Sequence, residues 1–89
     1  MRVIGNSMYP ALIDQQIVAV IPIEKYTKAK LKVGDILVFQ RLDGSYIVHR
    51  IVRIHHANDH TVCETKGDHN VLPDPYFAHE GTVIGVVDI

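Results

Sequence analysis

A small all-β domain with an antiparallel sheet is what the sequence predicts, on three observations. Short apolar runs rich in β-branched residues are bounded by turn formers, an Asp-Gly pair separates two of them, and no helix is clearly signalled. In chain order, Ile17-Val18-Ala19-Val20-Ile21 reads as a buried strand that Pro22 ends. Residues 24–30 are polar and read as a solvated connection. Ile36-Leu37-Val38-Phe39 is a second buried strand. Asp43-Gly44 predicts a hairpin with a tight primed turn, because glycine tolerates the positive φ such a turn needs. A long strand follows over residues 45–54, Ala57-Asn58-Asp59 turns it back, and residues 61–65 form the returning strand. The last strand covers residues 82–87, with Gly85 expected at a bulge. No repeat, low-complexity tract or linker interrupts the chain, so residues 1–89 read as one domain.

Composition narrows the function classes. At 89 residues the chain is near the lower size at which one core holds without staples, and 47% hydrophobic with 21% charged residues is globular rather than disordered. A formal net charge of -1, with scattered lysines and arginines, argues against nucleic acid as a partner. No apolar run approaches the ~20 residues that span a bilayer, and the start is too short for a signal peptide, so the chain as given is expected to be soluble. The single cysteine, Cys63, sits in a strand-like run and reads as a buried thiol rather than a nucleophile. His55, His56, His60, His69 and His79 give no compact ligand set by spacing, so neither a metal nor any other cofactor is expected.

Ser7, His49 and Asp74 carry the chemistry that stands out. A serine hydroxyl is protonated at neutral pH, so a nucleophilic serine needs a base within reach and a group that holds the base in the right tautomer. Strand alternation puts Ile47, His49 and Ile51 on one face, and apolar neighbours favour the neutral imidazole that can take a proton. By residue type alone the bland readings stay open: a core histidine, a plain reversal at Gly67-Asp68 and Pro73-Asp74-Pro75, Met8 as core filler, Pro10 as a rigid turn. His69, between Asp68 and Asn70, is a rival base.

The order and wording of the segments settle the preference. Ser7-Met8-Tyr9-Pro10, then Gly34-Asp35 before an apolar strand, then Val48-His49-Arg50, then Lys66-Gly67-Asp68-His69-Asn70 with Asp74 beyond, resembles the type I signal peptidases over nearly the whole chain. More loosely the chain resembles the wider superfamily that includes the self-cleaving LexA-like repressors. Histidine where bacterial members have lysine is similar to the archaeal and endoplasmic-reticulum branch. The resemblance implies the small, strongly coiled antiparallel β fold of that superfamily. It also implies Ser7 as nucleophile, His49 as general base, Asp74 as the acid that orients His49, and Asp68 as a second acidic residue supporting the site. The oxyanion would be held by amides around Ser7, with Gly5, Asn6 and Met8 forming the oxyanion and substrate-binding segment. A peptide or preprotein cut after small residues, as in Ala-x-Ala, is the implied substrate.

Three departures from the pattern carry expectations of their own. Gly5 stands where bacterial members have an oxyanion-binding hydroxyl, Gln15-Gln16 stands where the family has Gly-Asp and predicts an altered turn, and no membrane anchor is present. Either an anchor has been removed, in which case the domain works at the extracytoplasmic or luminal face of a membrane, or the chain is a soluble relative. The alternatives to a peptidase acting in trans are a LexA-like self-cleaving regulatory domain and a catalytically silent peptide-binding module.

Overall fold

The structure, a computed structural model, describes residues 1–24 and 30–89; of the polar connection at residues 24–30, positions 25–29 lie outside the described residues. Six strands follow in chain order: β1 (Ala19–Pro22), β2 (Ile36–Gln40), β3 (Tyr46–Ala57), β4 (His60–Lys66), β5 (Phe77–His79) and β6 (Val83–Asp88). They form one antiparallel sheet in the order β1-β6-β2-β3-β4-β5, and no α-helix occurs among the described residues. The expected all-β fold is the observed one.

β2 explains the sheet's organisation. Its continuous apolar run is needed because it lies between β6 and β3 and is covered on both faces. Ile36 and Val38 enter a cluster with Val3, Met8, Leu12, Val18 and Val87, which packs the N-terminal segment onto one face. Leu37 and Phe39 enter a second cluster on the other face with Ile51, Cys63, Ala78 and Val83. Every side chain from Ile36 to Phe39 is therefore buried, as expected.

Several local expectations need correction. β1 begins at Ala19, not Ile17, and it is an edge strand with half-exposed side chains because only β6 pairs with it. Ile17 stays exposed in an isolated bridge to Arg2. The Asp43-Gly44 hairpin is a three-residue loop: Arg41 N–H donates to Ser45 O, Gly44 N–H donates to Arg41 O, and only Gly44 has positive φ (88°). Asp43 is spent instead on accepting the Ser45 N–H and hydroxyl, which holds its carboxyl below the usual range. The primed turn occurs at the next reversal, where Asn58 (φ 50°) and Asp59 (φ 66°) join Ala57 to His60. In β6 the irregularity falls at Ile84, between the Val38–Gly85 and Phe39–Val83 pairs. Gly85 is required for a different reason, since a Cβ there would lie 2.3 Å from the Ile21 carbonyl oxygen. β5 was not expected; its three residues follow two prolines and pair with β4 through Cys63–Ala78.

One feature of β3 positions the site. Ile51 N–H donates to Asp35 O and Ile51 O accepts from Gly34 N–H, on the β2 side. Because backbone groups alternate along a strand, His49 and Ile47 also point at β2, whereas Val48 and Tyr46 point the other way. On that other side β4 ends at Lys66, opposite Arg50, so the Tyr46 and Val48 amides form an open sheet edge.

Candidate active site

Ser7 lies in a loop that two internal bonds hold: Tyr9 N–H to Asn6 O and Leu12 N–H to Met8 O. Met8 and Leu12 are each 1% exposed and anchor that loop in the core. Met8 can therefore meet a ligand mainly through its backbone. Gly5 has a φ of 90° and its N–H donates to Asp14 Oδ1 at 2.7 Å, which fixes the approach to Ser7. The turn that closes the segment has a left-handed residue, Gln15 at φ 72°.

His49 is 7% exposed on β3, between Ile47 and Ile51 on the same face. Its Nδ1 lies 2.6 Å from Asp74 Oδ2 and its Nε2 lies 3.0 Å from Ser7 Oγ. A carboxylate only accepts, so the Nδ1 proton points at Asp74, and Nε2 is left to accept the Ser7 hydroxyl proton. Asp74 N–H donates to Thr65 O, and Thr65 Oγ1–H donates to Asp74 Oδ2 at 2.7 Å. Serine, histidine and aspartate thus form one chain of hydrogen bonds across 67 residues of sequence.

The loop after β4 closes over this chain. A Cβ on Gly67 would fall 2.6 Å from Ser7 O and 3.1 Å from His49 Nε2, so only glycine fits. His69 N–H donates to Ser7 O at 2.8 Å, while the His69 ring packs edge-on against Tyr9 and takes no part in the Ser7 bond. Asp68 bonds Arg50 rather than the imidazole. It forms a two-pronged pair with Arg50 (Nε to Oδ1 2.9 Å, a terminal nitrogen to Oδ2 2.8 Å), and Arg50 also donates to Gly34 O. The guanidinium holds the Asp68 carboxyl well below the usual range, and the carboxylate raises Arg50 in turn. Asp68 N–H also meets Met8 Sδ at 3.5 Å.

Ser7 and His49 line a cleft of about 390 Å³ between residues 1–4 and the open β3 edge at Tyr46 and Val48. Among the described residues no three histidines, cysteines or carboxylates converge as a metal site. His55 instead packs against Phe77 and lies 3.7 Å from Glu64, and His56 meets the Thr61 hydroxyl. Cys63 is buried, and that burial, helped by Asp35, pushes its thiol up and keeps it inert.

The chain matches catalytic subunits of signal peptidase complexes. It is 49% identical over 45 residues to SEC11 of Candida tropicalis, covering 48% of this chain and 26% of that protein. For SEC11 of Clavispora lusitaniae the values are 45% over 47 residues, 52% and 28%. For SEC11 of Candida albicans they are 47% over 45 residues, 48% and 26%. The chain is a relative of the signal peptidases. The matches span about a quarter of the length of those signal peptidase subunits. No family model matches the chain, and no solved structure matches it. Among the described residues no helix is long and apolar enough to cross a membrane.

Sequence reasoning gave Thr65 and Arg50 no part in the site, and it read Gly67 as a motif and turn residue without the close approach to Ser7 and His49 that requires it. The signal for Thr65 was available, since alternation places it on the same inward face as buried Cys63. A hydroxyl on such a face asks for a partner.

Proposed function

We propose that residues 1–89 form one catalytic domain, a serine endopeptidase that cleaves leader or signal peptides after small residues. The observation that carries this is the continuous bond chain from Ser7 Oγ through His49 Nε2 and Nδ1 to Asp74 Oδ2. His49 removes the Ser7 proton as Oγ attacks the scissile carbonyl, then delivers it to the leaving amine. Asp74 keeps the Nδ1 proton in place and stabilises the imidazolium. A water then attacks the acyl-serine by the same route, releasing the acid and restoring Ser7.

The developing oxyanion is held by the Ser7 and Met8 amides, which make no hydrogen bond among the described residues. Gly5 and Asn6 supply the close-lying backbone beside them. Such preorganised donors are worth ~10²–10³ in rate each. Substrate is read as an extended strand added to the Tyr46 and Val48 edge, with main-chain bonds giving affinity and the cleft walls giving specificity. Asp68 supports the site through Arg50 without touching the reacting atoms. Likeness to signal peptidase complex subunits supports a preprotein presented at the luminal or extracytoplasmic face of a membrane as the substrate.

Mass spectrometry of the protein incubated alone and with Ala-x-Ala peptides tests the reading. Peptide fragments cut after the second alanine, with the protein mass unchanged, are expected. Self-cleavage of the chain, or an intact peptide that merely stays bound, would contradict it.

A further inference from the structure

We propose that Thr65 is a positioning residue of the site: its hydroxyl fixes the Asp74 carboxylate where that carboxylate orients His49. The inference rests on the Ser7-His49-Asp74 reading above.

Thr65 lies in β4 opposite Ile51 and is 0% exposed. Ile51 faces it across the ladder and Cys63 is its neighbour on the same face, both buried and apolar. Valine would fill the same volume there, and a buried hydroxyl without a partner would be destabilising, so the hydroxyl has to be explained by what it bonds. It bonds Asp74 Oδ2, the same oxygen that His49 Nδ1 meets. The Thr65 carbonyl takes the Asp74 N–H as well.

Asp74 belongs to no strand, lying in the segment between β4 and β5. One strand residue therefore holds it at both main chain and side chain. With His49 as sole donor, the carboxylate could turn about its own bond while keeping a contact to the ring. A second donor fixed in β4 removes that freedom, and imidazole orientation then follows from the sheet rather than from the loop.

Thr65→Val and Thr65→Ser separate this role from packing. Two readouts are taken: kcat and KM on a quenched Ala-x-Ala peptide, and solvent exchange of the His49 Nδ1 proton by NMR. In Thr65→Val, kcat should fall ~10- to 100-fold, the size of a lost bond to a charged group, with KM within ~2-fold. The Nδ1 proton should also exchange faster than in wild type. Thr65→Ser, which restores the donor, should keep kcat within ~3-fold of wild type and keep the proton protected. Wild-type kcat and proton protection in Thr65→Val would overturn the proposal, as would a Thr65→Ser variant as impaired as Thr65→Val. Peptide cleavage that survives Ser7→Ala would sink the nucleophile reading instead, and the Nδ1 proton, which needs no turnover, would still decide the part of Thr65.

Discussion

Gly67→Ala is the smallest change expected to disable the site. The added methyl would lie 2.6 Å from the Ser7 carbonyl oxygen, 2.7 Å from Asn70 Nδ2 and 3.1 Å from His49 Nε2, where ordinary contact begins near 3.4 Å. The φ of Gly67 is not in the left-handed region, so the cost is collision alone. The Asn70 amide can swing aside, but the Ser7 carbonyl is backbone and is tied to His69 N–H. Relief therefore requires the Ser7 loop and the 67–70 loop to part by several tenths of an ångström. That parting stretches the 3.0 Å bond between Ser7 Oγ and His49 Nε2 toward the limit of a hydrogen bond. Misplacement on this scale costs up to ~100-fold in kcat, and overpacking costs ~1–3 kcal/mol of stability. For a domain of this size, each kcal/mol lowers Tm by about 4–8 °C. The assay is peptide cleavage with kcat and KM separated, alongside thermal unfolding. Gly81→Ala serves as control, since its nearest contact would be an ordinary 3.8 Å. A Gly67→Ala enzyme with kcat within ~2-fold of wild type would refute the reasoning, because a misplaced nucleophile cannot keep its rate.

Three further outcomes are expected. Gln15→Gly should stabilise the protein by about 0.5–1 kcal/mol in urea unfolding, because a left-handed φ of 72° strains a residue with a Cβ and the side-chain bonds lost among the described residues are exposed ones at 3.3 Å. Asp68 is held below its ordinary range by Arg50, so its stabilising contribution is present above the unfolded value of about 4 and is lost as pH falls through the lower folded value. The stability gap between wild type and Asp68→Asn should accordingly be constant from neutral pH to about pH 5 and close below about pH 4, read by unfolding at each pH. Asp74→Ala should cripple kcat more than Asp68→Ala, since only Asp74 meets the imidazole; the reverse ranking would overturn the carboxylate assignment.

Much of the fold was legible in residue patterns, and what was not has physical reasons. Ile36 to Phe39 announced a strand covered on both faces because every position was apolar. Residues 17–21 carried a similar pattern, but the strand there, Ala19–Pro22, is an edge, since an apolar run does not say how many neighbours a strand acquires. Asp43-Gly44 marked a reversal correctly, but the loop took one more residue because Asp43 bonds Ser45. β5 escaped notice because three residues after prolines carry no period; pairing with β4 makes it a strand. At the site, motif order could name Ser7, His49 and Asp74, and Asp68 as a support, but not Thr65 or the partner that Asp68 takes. The pairing of Arg50 with Asp68 and of Thr65 with Asp74 depends on loop closure, which no local spacing encodes. Asp68 and Asp74 sit in one loop, yet they meet different partners because His49 and Arg50 point to opposite faces of β3.

The central claim is that Ser7 and His49 act together on a peptide bond. Cleavage of a quenched Ala-x-Ala peptide should be measured for wild type, Ser7→Ala and His49→Ala, with folding checked by circular dichroism. Both folded variants are predicted to lose ~10³-fold or more of the wild-type rate. A folded Ser7→Ala protein that cleaves at the wild-type rate would contradict the account.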